Sequence, residues 1–192
     1  MKPDLIHQNL LLEPTATAQW KQLLEHAKQQ CHCQLNEEVE SYLIFTLMRF
    51  TRQPALASTA LGPDLINCNQ LAGQARENKL RDVGDQCLLL SGLFPQRAEK
   101  RLVQVGYYVD LGKTAYQHLS DILRKAFAEL YQLLSQNFVA MMDVLLSLRG
   151  DDALQPLQAM ELWQHTGSVS ASNILKNTTD STPILIDQTI RH

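Results

Sequence analysis

The spacing of the apolar residues is the feature that most limits what this chain can fold into. Apolar residues recur at intervals of three and four through most of the sequence, whereas the alternation of a half-buried strand is nearly absent. Of the 192 residues, 45% are hydrophobic and 19% are charged, which is a globular composition rather than a disordered one. We therefore predict an all-α, single-domain bundle of about six helices.

Local signals predict where several of these helices begin and end. The segment VGDQCLLLSGLF carries one charge in twelve residues, which predicts a central helix that is buried on nearly every side. Asn36 suits an N-cap, and Pro54 and Pro95 end the helices that precede them. We predict helices over Thr17 to Gln30, Asn36 to Pro54, Asn69 to Leu93, and Pro156 to Gln164.

The longest apolar stripe lies in the C-terminal half. It runs from Leu119 to Leu148, which would make a helix of roughly 45 Å. A compact domain of this size measures only about 40 Å across. We therefore expect the helix either to bend near Ser135 to Asn137 or to pack on a second subunit, and the second alternative predicts a homodimer.

Composition divides the chain into three regions. We predict an N-terminal arm over 1–14, a helical domain over 15–166, and a tail over 167–192. The tail is rich in Ser, Thr, Asn and Asp, so we expect it to be largely extended.

Charge and cysteine content exclude several classes of protein. A net charge of −3 gives no basic field for binding nucleic acid. The apolar runs fall short of the roughly 20 residues that span a bilayer. Asp4 and His7 interrupt any signal sequence, and four cysteines are too sparse for a disulfide scaffold. We expect a cytoplasmic protein that binds neither nucleic acid nor membrane.

Motifs for metals and cofactors are incomplete. Cys31, His32 and Cys33, with His26 before them, lack the second ligand pair of a structural zinc site, so we interpret them as a helix end. The GKT triplet at Gly112 to Thr114 lacks the upstream glycine of a phosphate-binding loop. We predict no metal and no cofactor. In the absence of a catalytic motif, the sequence leaves open whether the chain is an enzyme.

One polar patch is a candidate ligand site. Arginine forks and tyrosine hydroxyls from two helix ends would suit a phosphate or a carboxylate. The alternative, which we favour, is an interhelical corner in which the tyrosine rings fill the core and the arginines pair with Asp82, Asp85 or Asp110. The residues of this patch are Arg97, Arg101, Tyr107, Tyr108 and Lys113.

Two charges lie in apolar surroundings. Arg49 shares a helical face with Tyr42 and Phe45, and Asp85 lies within the predicted central helix. A buried charge is costly unless it is paired. We therefore predict a structural ion pair in which Arg49 or Arg81 neutralises Asp85.

The series GDQCLLLSGLFPQR followed by RLVQVGYYVDLGKTAYQHL covers the central helix and the segment after the patch. It resembles a pattern, roughly GDxxLxxSGxFxxR and then YYxxLGxxAY, of a family of uncharacterised proteobacterial helical proteins. The resemblance implies a bacterial cytoplasmic protein and implies no activity.

These observations favour a noncatalytic helical interaction or regulatory module, homodimeric or bound to a protein partner. The alternative is an enzyme or sensor that binds a small anion at the Arg/Tyr patch.

Overall fold

The described part of the chain is helical throughout. A computed structural model describes residues 16–54, 68, 70–100, 103–150 and 154–178, and these contain nine α-helices and no strand. The all-α class is therefore confirmed, with more helices than the predicted six or so. The predicted N-terminal arm and Arg101 lie outside the described residues. The helices are α1 Ala16–Cys31, α2 Glu37–Arg52, α3 Gly73–Gly92, α4 Pro95–Lys100, α5 Val105–Ile122, α6 Lys125–Gln136, α7 Phe138–Arg149, α8 Pro156–Thr166 and α9 Val169–Thr178.

Helix α2 begins where the sequence predicts. The side chain of Asn36 accepts a hydrogen bond from the backbone N–H of Val39 at 2.9 Å, which satisfies one of the donors left free at a helix N-terminus. Glu37 and Glu38 lie in the first turn, where negative charge is favoured by the helix dipole. The N-cap prediction is confirmed.

Helix α3 is the centre of the fold, and it packs against α5 and α7. Every residue from Val83 to Gly92 is buried, which confirms the prediction for this half of the helix. The helix ends before Pro95, as the missing N–H of proline requires. The first half, from Gly73 to Arg81, is largely exposed or partly exposed.

Two glycines allow α5 and its neighbours to approach closely. A Cβ at Gly84 would lie 2.3 Å from the ring of Tyr116, and a Cβ at Gly112 would lie 2.4 Å from the ring of Phe138. These distances are far inside van der Waals contact, so only glycine fits at either position. The aromatic rings occupy the space that a side chain would take.

The predicted long C-terminal helix is wrong, because the chain breaks twice within it. Asn137 separates α6 from α7, which confirms the expected bend. A second break, at Leu123 and Arg124, was not predicted, and there the backbone is extended. Leu119, Leu134 and Met141 are almost completely buried within the chain. Intramolecular packing therefore accounts for part of the apolar stripe, whereas Ile122 is 39% exposed and Leu130, Leu133 and Leu148 are only partly buried. The homodimer stays a prediction.

The predicted tail is not extended over its first part, because 169–178 form α9; positions 179–192 lie outside the described residues. The buried carboxylate of Asp143 accepts hydrogen bonds from the hydroxyl of Ser168 and from the backbone N–H of Val169. The hydroxyl of Ser168 in turn accepts from the backbone N–H of Ala171 at 3.0 Å, so Ser168 is the N-cap of α9. Ile174 and Leu175 pack into the core. The serine was a cap signal that the sequence prediction did not use, because the segment is polar overall.

No helix among the described residues is sufficiently long and apolar to span a membrane.

The close packing at Gly112 leads to a first prediction. Gly112→Ala gains about 1 kcal/mol of helix propensity, but the new methyl group would overlap Phe138 and the Cβ of Cys87, and overpacking costs about 1 to 3 kcal/mol. We expect a net loss in the free energy of unfolding, measured by denaturant titration. Thr114→Ala places the same alanine on the exposed face of α5 and should not destabilise the protein. Equal stability of Gly112→Ala and wild type would contradict the packing described.

The Asp143 carboxyl leads to a prediction about pH. Burial raises its pKa from 3.8 to about 6, against the opposing hydrogen bonds from Ser168 and from the backbone of Val169 and Ser170. The Cys31 and Cys33 thiols also lie within electrostatic range. Between these two pKa values the folded state binds a proton that the unfolded state does not, so stability must fall as pH rises through this window.

Wild type should therefore gain up to about 3 kcal/mol from this group between about pH 7 and about pH 4, at about 1.36 kcal/mol per pKa unit. Asp143→Asn keeps an acceptor for α9 and cannot titrate, so its free energy of unfolding should lack this gain. Denaturant titrations of both proteins across the pH range test the difference. Parallel pH profiles would show that Asp143 is not the responsible group.

Candidate functional site

The carboxylate of Asp85 is the centre of a buried polar network. Its Oδ1 atom accepts hydrogen bonds from the hydroxyls of Tyr42, at 2.7 Å, and Tyr116, at 2.8 Å. Its Oδ2 atom accepts one from Nη1 of Arg49 at 2.9 Å. Asp85 is only 2% exposed. The network, which we call the Asp85 cluster, joins α2, α3 and α5 through one side chain; its members are Tyr42, Arg49, Asp82, Asp85 and Tyr116.

The structure distinguishes between the two cations that the sequence suggested for Asp85. Arg49 makes the ion pair, and its second terminal nitrogen donates to Asp82 on the same helix as Asp85. Arg81 acts on Asp85 only through its charge, which lowers the pKa of that carboxyl. Its hydrogen bond goes instead to Oδ1 of Asn78, at 3.3 Å. Arg49 is therefore the cation that pairs with Asp85, and Arg81 makes neither a hydrogen bond nor an ion pair with that carboxylate.

The electrostatics of the cluster keep its tyrosines protonated. Burial raises the pKa of Asp85, while the hydroxyls of Tyr42 and Tyr116 and the charge of Arg49 oppose that rise. Burial and the Asp85 charge raise the pKa of both tyrosines well above 10.0. Both phenols therefore remain donors at neutral pH, and the cluster is a fixed hydrogen-bonded network enclosed by protein.

A cavity of about 240 Å³ lies beside this cluster, and we call it the Arg81 cavity. One wall is a polar face of α3, in which residues recur at the three- and four-residue spacing of a helix face. The other wall is apolar and comes from the junction of α5 and α6. The polar wall consists of Gln74, Glu77, Asn78 and Arg81, and the apolar wall of Leu119, Leu123, Phe127 and Tyr131.

Arg81 has unused hydrogen-bonding capacity in this cavity. Its Nε is buried and has no hydrogen-bond partner among the described residues. Its only hydrogen bond there, to Asn78 at 3.3 Å, is longer than a typical N–H···O bond. Within the described part of the chain, neither Arg81 nor Glu77 forms an ion pair. The cavity wall thus presents one positive and one negative group, each without an ionic partner.

Tyr131 connects the cavity to the Asp85 cluster. Its ring lies 5.9 Å from the ring of Tyr42 and 5.9 Å from the ring of Tyr116, centroid to centroid. These are favourable separations for aromatic pairs. Because Tyr42 and Tyr116 are themselves held by Asp85, the inner end of the cavity is rigidly supported.

The residues of the predicted Arg/Tyr patch lie in different environments. Tyr108 is buried in the core, whereas Tyr107 is 45% exposed and its ring packs against that of Tyr108. The guanidinium of Arg97 lies 4.4 Å from the centroid of the Phe94 ring. Lys113 is exposed, and Arg101 is outside the described residues. Anion binding by this patch stays a prediction, and its corner role is consistent with the buried Tyr108 ring.

The acids expected as partners of the patch arginines are engaged elsewhere. Asp82 and Asp85 pair with Arg49, and Asp110 contacts the imidazole of His165 at 2.8 Å. Phe45 lies one helical turn before Arg49 on α2, as expected, but its ring is 67% exposed and does not enclose the guanidinium in apolar surroundings.

Sequence reasoning missed most of the cluster and all of the cavity. Tyr116 and Tyr131 were not connected with Asp85, because no local pattern joins three separate helices. One sequence signal for the cluster was the Gly84-Asp85 dipeptide. The glycine leaves room for the Tyr116 ring, and the aspartate accepts a hydrogen bond from the hydroxyl of that tyrosine. The polar face of α3, at positions 74, 77, 78 and 81, was a second signal.

Comparisons with protein-family models, with curated proteins and with solved structures find no match to this chain.

The Asp85 cluster leads to a prediction about stability. Asp85→Ala leaves Arg49 with Asp82 as its remaining counter-charge, and leaves two buried hydroxyls without an acceptor. A buried donor left unsatisfied costs about 1 to 3 kcal/mol, so we expect the two hydroxyls together to lower the free energy of unfolding by about 2 to 6 kcal/mol. Asp110→Ala, which removes an exposed contact with His165, should change the free energy of unfolding by less than about 0.5 kcal/mol. Wild-type stability of Asp85→Ala would contradict the network.

Proposed function

We propose that the protein is a helical ligand-binding module whose Arg81 cavity receives a small zwitterion, of the size and chemistry of an apolar amino acid. The observation that carries the proposal is the unpaired guanidinium of Arg81 in the wall of a cavity. The proposal moves the predicted anion site from the Arg/Tyr patch to the first half of α3.

Arg81 supports recognition of a carboxylate. Its planar guanidinium offers a fork of donors that matches the two oxygens of a carboxylate. Only one of those donors has a partner among the described residues, and that bond is long. Arg81 is partly exposed, so a carboxylate in the cavity would accept from its terminal nitrogens in charge-assisted bonds, which contribute about 1.5 to 3 kcal/mol each.

Glu77 supports recognition of an ammonium group on the same ligand. It lines the cavity one helical turn from Arg81 and has no ionic partner among the described residues. A simple anion would meet repulsion from this carboxylate, whereas a zwitterion meets a complementary charge at each end. The side-chain amides of Gln74 and Asn78 lie along the same wall and add polar contacts.

The apolar wall supports a hydrophobic side chain on the ligand. Leu119 and Tyr131 are buried at the base, while the Phe127 ring is 64% exposed at the rim. An apolar ligand group would cover part of this ring and bring it out of water. The volume of about 240 Å³ is below the roughly 300 Å³ at which pockets for drug-sized ligands begin, so the ligand must be small.

Calorimetric titration tests the proposal with three ligands: leucine, phenylalanine and isocaproate. Isocaproate is leucine without its amine. Wild type should bind the two amino acids more tightly than isocaproate. Arg81→Gln should weaken all three at least tenfold, since about 1.4 kcal/mol corresponds to a factor of ten. Glu77→Gln should remove the preference for leucine over isocaproate. Phe127→Ala should weaken binding without lowering the melting temperature, because its ring is exposed.

Two control proteins separate this site from general charge effects and from the Arg/Tyr patch. Arg52→Ala removes an exposed arginine from α2 and should leave binding unchanged. The double variant with Arg97→Ala and Arg101→Ala should also bind normally. Binding lost in that double variant would return the site to the Arg/Tyr patch, and absence of binding by wild type would contradict the proposal.

A further inference from the structure

The end of helix α1 brings two cysteines together. Cys31 is its last residue, and His32 adopts a left-handed conformation with a φ of 52°. The backbone N–H of Cys33 then donates to the carbonyl of Lys28 at 3.0 Å. This is the reversal that commonly closes a helix C-terminus. It places Cys33 back over the final turn, beside Cys31, and neither cysteine is in a disulfide.

The two thiols interact with each other and with the helix end. Sγ of Cys33 donates to the carbonyl of Cys31 at 3.5 Å, and Sγ of Cys31 donates to the carbonyl of Lys28 at 3.7 Å. Hydrogen bonding from Cys33 lowers the pKa of Cys31 to about 7, and the same contact raises the pKa of Cys33. Thiolate character near neutral pH therefore lies on Cys31, while Cys33 stays protonated and is the hydrogen-bond donor of the pair.

The two sulfurs differ in access. Cys31 is 1% exposed, whereas Cys33 is partly exposed and lines a cavity of about 460 Å³. The cavity wall also contains the charged groups of Glu25 and Lys28 and the side chain of Gln29. A polar cavity with one accessible sulfur in its wall and a second sulfur behind it is an arrangement suited to an attacking and a resolving thiol.

We propose that Cys31 and Cys33 form a redox-active dithiol that exchanges with a small polar disulfide bound in this cavity. A metal would need further ligands, and no group of three metal-binding side chains occurs among the described residues. The inference is independent of amino-acid binding, because the Arg81 cavity is lined by other helices.

The exchange balances in two steps. Cys33 transfers its thiol proton to the Cys31 thiolate and attacks one sulfur of the small disulfide. A mixed disulfide forms and one small thiolate is released, which takes the proton from Cys31. The Cys31 thiolate then attacks Sγ of Cys33, which closes the Cys31–Cys33 disulfide and releases the second small thiolate. Counted from two thiols, the two protons pass to solvent or to the released thiolates. The protein loses two electrons, and the small disulfide is reduced by two electrons to two thiols.

Oxidised glutathione is a suitable probe, and tryptic mapping locates the product. Lys28 and Arg49 bound a peptide, residues 29–49, that contains Cys31 and Cys33 only, while Cys68 and Cys87 fall in other peptides. After oxidation, quenching and alkylation of the unfolded chain, the wild-type peptide 29–49 should have lost two hydrogens and carry neither alkyl group nor glutathione. The peptides of the buried Cys68 and Cys87 should be alkylated, which makes them internal controls.

Serine variants assign the order of attack. Cys31→Ser should accumulate a glutathione adduct on Cys33, because the resolving thiol is missing. Cys33→Ser should react at least about tenfold more slowly, because Cys31 is buried. A wild-type peptide that stays reduced, or an adduct that persists equally in wild type and Cys31→Ser, would overturn the proposal. Since the wild-type result requires no substitution, a variant that fails to fold leaves the test intact.

Discussion

The interaction on which the rest of the structure depends is the set of hydrogen bonds to Asp85. An ionised carboxylate in a helical core would be prohibitively costly alone. Here three donors from two other helices surround it, and Arg49 supplies the counter-charge. Because apolar contacts are non-directional, they bring α2, α3 and α5 together without fixing their register. Directional bonds to one carboxylate select a single arrangement, which makes Asp85 a determinant of specificity as much as of stability.

Close backbone approach makes that arrangement possible. The Tyr116 hydroxyl reaches Asp85 because Gly84 leaves room for the ring that carries it. Gly112 has the same role on α5, where the Phe138 ring fills the space beside Cys87. Each glycine costs about 1 kcal/mol of helix propensity. Burial of a large aromatic ring stabilises by about 1.5 to 3 kcal/mol, so the exchange is favourable.

The sequence was sufficient to predict the all-α class, several helix ends and the burial of α3, because local rules determine them, as at Asn36 and Pro95. Features that depend on residues distant in the sequence could not be predicted. Ser168 caps α9 locally by accepting from the N–H of Ala171, but the carboxylate that accepts from Ser168 belongs to Asp143, which lies 25 residues before it. The tyrosine donors of Asp85 lie 43 residues before it and 31 after it. The sequence indicated that Asp85 needs a cationic partner and limited the choice to Arg49 and Arg81. The two tyrosine hydroxyls that donate to Asp85 come together with it only when the helices pack.

Helix α3 changes character at the point where both polar features meet. Its first half exposes the polar face that lines the Arg81 cavity, and its second half is buried on all sides. Asp82 and Asp85 lie at the boundary, and Arg81 is directly before it. Arg81 lowers the pKa of Asp85 through its charge. A carboxylate bound to Arg81 would weaken the effect of the Arg81 charge on the pKa of Asp85. Tyr131 would contact the ligand on one side, and on the other side its ring packs against Tyr42 and Tyr116 of the cluster. The cavity is therefore electrostatically linked to the network that sets the helix register.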